Sequence, residues 1–299
     1  MHSEKLWRLA DKVANEYISR EDTVAVAVTG SLAKQTTWEG SDVDLWVFSK
    51  REDGFQEGMD NGIYWEADIK HTSVLEIPFD LQRWLTPPKL KENDGNLYDA
   101  LWQCKIVYDP TGKLAQYKAR IDETMADDDW LEARRKNYLL YGRGCLDALK
   151  FANPLHAIVI ARDIATMYGI ASYWMGQKQL LSSLRRVPEN LSAAPHIQTL
   201  YKSIYNLKGR QGAEEYWHHL DRLPAAVKQK IQTDLDYEIR PVYQLGYYDG
   251  SVCKLLQLLA KQFDPEEVRP WLCIDSDPES HKRRILQEVQ ELITLCSSS

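Results

Sequence analysis

Nothing in this chain reads as a membrane span. No apolar run approaches the ~18 residues that a spanning helix needs. The first stretch, residues 1–14, is charged and lacks the apolar core of a secretory leader, so a cytoplasmic protein is expected. Disulfide and zinc chemistry are poorly provided for: the five cysteines are odd in number and no two stand in C-x-x-C spacing. There is no H-E-x-x-H pattern. The pairs Glu214/His218 and Glu215/His219 have helical spacing but read as a solvated helix face. Positive charge is short as well. Lys and Arg number 37 against 44 Asp and Glu, which argues against a protein whose main task is to coat nucleic acid. Internal repeats are absent, and low complexity is confined to the tail Ser297–Ser299.

What is present concentrates in Thr29–Ser49, TGSLAKQTTWEGSDVDLWVFS. An apolar run, Thr23–Val28, reads as a buried strand and ends on a tight turn with Gly30 and Ser31. A second strand is expected over Ser41–Phe48. Residues two apart on a strand share a face, so Asp42 and Asp44 project together. Two carboxylates ~4 Å apart repel by roughly 4 kcal/mol at an effective dielectric of about 20. A raised pKa or a bound cation must offset that. Hard cations such as Mg²⁺ take carboxylate oxygens together with substrate phosphates. The Gly-Ser turn supplies the complementary half, because exposed N–H groups and a hydroxyl hold phosphate.

This arrangement resembles the nucleotidyltransferase family related to DNA polymerase β. Its pattern is Gly-Ser, a spacer of about ten residues, then Asp-x-Asp after a hydrophobic position. Gly30-Ser31 and Asp42-Val43-Asp44 fit, with Leu32–Ser41 between them. The resemblance implies a third carboxylate on a neighbouring strand. Gly62–His71 alternates as a strand, with Tyr64, Glu66, Asp68 and Lys70 on one face. Asp68 lies between two hydrophobic residues, as in the family, and Glu66 is the alternate. The string KIVYDPTGKL also looks like a segment of small-molecule nucleotidyltransferases, with a structural role.

Along the rest of the chain, residues 4–20 have the spacing of an amphipathic helix. A short helix is expected over 31–37, a loop or hairpin turn over 50–61, and a helix over 73–85 ended by Pro87-Pro88. A charged loop over 89–95 leads to a helix over 97–103 and a strand over 105–108. An acidic link, 122–129, separates a first domain, 1–125, from a second, 126–299. In the second, helical runs are expected near 130–150, 155–175, 178–186, 196–207, 211–220, 223–236, 241–263 and 278–297. The fold class is therefore α+β: a mixed sheet with helices as the catalytic domain, followed by an all-helical substrate-binding bundle. Within the bundle Arg162-Asp163 reads as a buried pair.

The resemblance implies a chemistry. Asp42, Asp44 and Asp68 would hold one or two Mg²⁺ ions, with Mn²⁺ as the substitute. Gly30 and Ser31 would hold the β- and γ-phosphates of a nucleoside triphosphate, ATP first among them. Lys178, read as opening a helix after a polar turn, would reach the triphosphate as in antibiotic-modifying relatives. Asp68 would accept the proton of an acceptor hydroxyl, and pyrophosphate would leave. The expected acceptor is a small molecule, as in aminoglycoside or lincosamide adenylyltransferases of antibiotic resistance. The alternatives are transfer to a macromolecule (protein AMPylation, a toxin–antitoxin nucleotidyltransferase, a tRNA end) and an inactive nucleotide-binding relative. Monomer and homodimer both stay open.

Overall fold

The computed structural model describes residues 2–51, 53–76, 85, 94–179 and 186–298. The chain divides into two compact units, Met1–Leu131 and Glu132–Ser299.

The first unit is built on a five-stranded sheet. Helix α1 (His2–Ile18) precedes β1 (Thr23–Val28), a single turn α2 (Gly30–Ala33) and β2 (Val43–Ser49). Then come β3 (Gly54–Asp60), β4 (Ile63–His71), α3 (Asp94–Trp102), β5 (Lys105–Tyr108) and α4 (Lys113–Met125). The strand order is β3-β4-β2-β1-β5. Among the described strands only β2 and β4 run parallel; β1 is antiparallel to β2 and β5, and β3 is antiparallel to β4. The apolar positions of α1 explain its place. Leu6, Leu9, Ala10, Val13, Ala14 and Tyr17 are buried, and they form one core with Val26, Val28, Val43, Leu45, Val47 and Ala67. Those strand residues alternate with the carboxylates of β2 and β4, so packing α1 on one face turns Asp44, Glu66 and Asp68 to the other.

Several expectations need correction. Residues 50–61, expected as a loop or hairpin turn, hold a strand, Gly54–Asp60, that runs into a hairpin. It is closed onto β4 by Asn61-Gly62, both with positive φ (50° and 78°). That is the backbone of a two-residue hairpin turn, which Asn-Gly favours. The helix expected over 31–37 is one turn, and Gln35 at φ 58° ends it. A 3₁₀ turn covers Thr72–Leu75 of the helix expected over 73–85; residues 77–84 lie outside the described residues. So do residues 89–93 of the expected charged loop, and Asp94 already opens α3. The acidic link is mostly helical, since α4 runs to Met125 and α5 (Asp128–Leu149) begins three residues later.

The second unit is helical throughout its described residues. α6 (Pro154–Ile164) runs through a wide π-helical stretch, Ala165–Ile170, into α7 (Ala171–Gly176). A short α8 (Val187–Asn190) leads to α9 (Pro195–Tyr205), α10 (Gly209–Leu220) and α11 (Ala225–Asp234). Then follow α12 (Arg240–Gln244), α13 (Tyr248–Gln262) and α14 (Pro278–Ser298). The single helix expected over 241–263 is broken between α12 and α13, where Gly246 takes φ 88°. Arg162 is buried, but not as a partner of Asp163. Its guanidinium donates to the carbonyls of Ile204 (3.0 Å), Leu272 and Cys273 (3.2 Å). Buried carbonyls left over at chain breaks and helix ends need donors, and a planar fork of five N–H groups supplies several at once.

Candidate active site on the carboxylate face of the sheet

The β1–α2 corner and the head of β2 are built against each other. Thr29 N donates to Asp44 O at 2.9 Å, which carries the β1–β2 pairing one residue past β1. The chain then turns at Gly30, whose φ is +64°. A Cβ on Gly30 would lie 1.7 Å from Asp44 Oδ2 and 2.8 Å from its Cγ. The carboxylate thus rests on the bare backbone of the Gly-Ser turn, and both the dihedral and the space demand glycine. Asp42 stands one residue ahead of β2, partly buried.

The spacer between the two halves of the motif is a pinned loop. Ser31 Oγ donates to Ser41 Oγ at 3.0 Å, and Trp38 N donates to the same hydroxyl at 3.0 Å. Ser41 N returns a bond to Trp38 O, and Thr36 N bonds Ser31 O, each at 3.0 Å. Ser41 is buried and ties Ser31 to the residue beside Asp42. Its role was hidden in the sequence, because a serine before an aspartate carries no pattern of its own.

Strand register decides which carboxylates are neighbours. Asp44 lies opposite Glu66 across the parallel β2–β4 pair, and Glu66 lies opposite Glu57 across the β3–β4 pair. Three carboxylates therefore stand in a row over three strands spaced about 4.8 Å apart. Asp68 lies one tier further on, between Trp46 and Phe55. Burial raises the Asp68 carboxyl above its ordinary range, and Lys70 works against the rise. Lys70 also sits 5.8 Å over the Trp46 ring. Glu57 accepts a hydrogen bond from Tyr64 Oη.

Lys34, which was not among the expected site residues, lies near this carboxylate face. Burial pushes its ammonium below the ordinary lysine value, and the charges of Asp99 on α3 and of Asp44 push it back up. A lysine three residues past a Gly-Ser pair is a modest signal. Only its partial burial near two carboxylates marks it. Lys178 lies in the second unit, in an exposed turn that follows the C-terminal end of α7, at φ 54°. It does not open a helix within the described residues; residues 180–185 lie outside them. The two Glu/His pairs are otherwise engaged. Glu214 pairs with Arg210 at 2.7 Å, Glu215 accepts from Gln211, and His219 Nε2 meets Pro270 O at 3.2 Å.

Among the described residues no three His, Cys, Asp or Glu side chains stand together as a ready metal site. The donor set nevertheless suits a hard divalent cation. Like charges directly opposite on neighbouring strands are unfavourable, and the facing pair Asp44 and Glu66 presents only carboxylate oxygens.

Comparison with known proteins gives one domain match in the first part of the chain. Residues 10–107 match the nucleotidyltransferase domain family. The matched segment holds Gly30, Ser31, Asp42, Asp44, Glu66 and Asp68, and it supports nucleotidyl transfer as the general activity. No curated protein matches the chain. A crystal structure of a nucleotidyltransferase-like protein from Exiguobacterium sibiricum 255-15 aligns at 14% identity. The alignment covers 96% of this chain and 74% of that one, with a TM-score of 0.28, too low to establish a shared fold. Among the described residues no helix is long and apolar enough to cross a membrane.

Proposed function

We propose that this protein transfers a nucleoside monophosphate from a nucleoside triphosphate, ATP first among them, to a hydroxyl of a small molecule of the aminoglycoside type. The observation that carries the reading is the contact between the Gly-Ser turn and Asp44. A turn suited to phosphate and a carboxylate suited to a cation meet with no side chain between them. Mg²⁺ held by Asp42 and Asp44 would neutralise phosphate charge. Gly30 N–H and the Ser31 hydroxyl orient the β- and γ-phosphates, the hydroxyl by exchanging its bond to Ser41. Asp68 accepts the proton of the attacking hydroxyl. Burial raises its pKa, which makes the ionised carboxylate a stronger proton acceptor. Lys34 keeps Asp44 from repelling the incoming triphosphate. The acceptor class rests on the resemblance and on a net charge of −7, which favours cationic small molecules over nucleic acid.

Calorimetric titration of ATP and GTP, with and without Mg²⁺, followed by a panel of aminoglycosides and mass spectrometry of the products, tests the proposal. The expected result is Mg²⁺-dependent triphosphate binding and an acceptor heavier by one nucleoside monophosphate. Triphosphate binding with no modified aminoglycoside removes the acceptor class. No triphosphate binding removes the activity.

A further inference from the structure

Helix α5 has two apolar faces, and among the described residues only one of them is packed against the rest of the chain. Tyr138, Leu139, Leu146 and Leu149 are buried. The opposite face of such a helix is expected to be charged. Instead Leu140 is 66% exposed, Tyr141 46%, and Phe151, in the turn that follows the helix, 93%. At about 100° per residue Ala133, Leu140, Gly144 and Ala148 fall on the same strip, and Ala133, Gly144 and Ala148 are exposed too.

Gly144 is the second observation. A glycine inside a helix costs stability unless something needs its bare backbone. Gly142 has such a reason: a Cβ there would meet Ile293 and Tyr168 at 3.1 Å. Gly144 has none among the described residues, since a Cβ there would meet nothing within 4 Å. Its missing side chain leaves a notch beside two exposed bulky residues.

We propose that a second copy of this chain packs antiparallel along α5, about a two-fold axis beside Gly142. That register is self-complementary, as an isologous contact requires. Leu140 and Tyr141 of one copy lie over Gly144 of the other, and Phe151 lies over Ala133. Asn137 faces Ala148. Large side chains meet small ones at each level, so the helix axes approach closely. In an antiparallel pair each helix edge faces the same edge of its mate. The charged edge of α5 carries Lys136, Arg143 and Asp147, and the two-fold sets Lys136 against Asp147 of the second copy, twice per dimer. Among the described residues both make only local surface pairs, Lys136 with Glu132 at 3.5 Å and Asp147 with Lys150, one residue past the helix, at 2.7 Å, which exchange readily. The same register sets Arg143 beside Arg143 of the second copy, one like-charge contact against the two Lys136–Asp147 pairs. A seam of about four turns is smaller than a standard interface, so the dimer is reversible rather than obligate. The inference does not depend on the proposed activity.

Sedimentation velocity of the full chain over ~1 to ~200 µM, the range of weak reversible association, tests it. The wild type is expected to shift from monomer toward dimer. Gly144→Leu is expected to weaken that dimer at least tenfold while melting no lower than wild type. Lys136→Asp is expected to weaken it and Lys136→Asp with Asp147→Lys to restore it. A wild type that stays monomeric throughout means that something other than a second copy covers the strip, and overturns the proposal. An undiminished Gly144→Leu dimer overturns it by placing the interface elsewhere. A double variant that fails to recover overturns the antiparallel register.

Discussion

At the scale of single residues, the Gly30–Asp44 contact makes the sharpest prediction. Gly30→Ala places a methyl in the space of Asp44 Oδ2 and forces an L-residue to φ +64°. Transfer activity should fall at least ~100-fold, and stability should fall by about 1–3 kcal/mol. Part of that loss should disappear in an Asp44→Ala background, where the clash is gone and only the dihedral strain remains. A four-way cycle of thermal melts separates the two contributions. The two candidates for the third carboxylate can be separated in the same spirit. Asp68→Asn should reduce kcat by at least ~100-fold, as loss of a general base does. Glu66→Gln, opposite Asp44, should chiefly raise the Mg²⁺ concentration needed. In the wild type the acid limb of the rate profile should be shifted upward from that of an exposed aspartate, because Asp68 must be ionised to act and burial raises its pKa. Equal effects of both substitutions on kcat alone would count against this division of roles. The residues of the motif were readable because chemistry restricts them to few types. Ser41 and Lys34 were not, since a buried hydroxyl and a half-buried lysine look like any others until their neighbours are placed.

At the scale of elements, sequence reading succeeded where periodicity and burial coincide. The alternating apolar residues of β1, β2 and β4 face a core, and so does the apolar stripe of α1. Reading failed where burial is weak. Strand β3 is exposed at most positions and carries two glycines, so its composition looked like a loop. The Asn-Gly pair after it was the available signal. The α12–α13 break was missed because the flanking residues are helical in character and only Gly246 marks the turn. The helical unit also contains an element-scale liability. Burial raises Asp163 on α6 from 3.8 to about 6, and Lys261 moderates the rise. The folded protein therefore binds a proton more readily than the unfolded chain between those values. Stability falls as pH climbs through that window, and the penalty is complete above about 6. Asp163→Asn should stabilise the protein at pH 8 by up to about 3 kcal/mol and leave it unchanged near pH 3.5. Melts at the two pH values check this; equal gains at both would contradict the burial explanation.

At the scale of the whole molecule, the sequence showed a strand-bearing half followed by a helical one, because strand signals cease near residue 130. What it could not show was the order of strands. That order depends on which edges meet in space, and the register that places Glu66 rather than Asp68 opposite Asp44 is a tertiary property. The order also sets a problem for the growing chain. β2 pairs with β4, yet β3 is made first and reaches β2 before β4 exists. Until β4 arrives, the apolar strand Val43–Ser49 is an open edge, and a direct β2–β3 hairpin is the nearest wrong partner. Gly54, Gly58, Glu57 and Asp60 make β3 a poor competitor, and Asn61-Gly62 commits it to β4 within microseconds. A weak outer strand thus acts as a delay, keeping the edge of β2 vacant for its proper neighbour. Gly54→Val has room in the folded state, where its Cβ would meet Ile69 no closer than 3.7 Å. It should leave the melting temperature within a few degrees of wild type and still lower the yield of folded protein from cell-free synthesis, through chains trapped with β3 on β2.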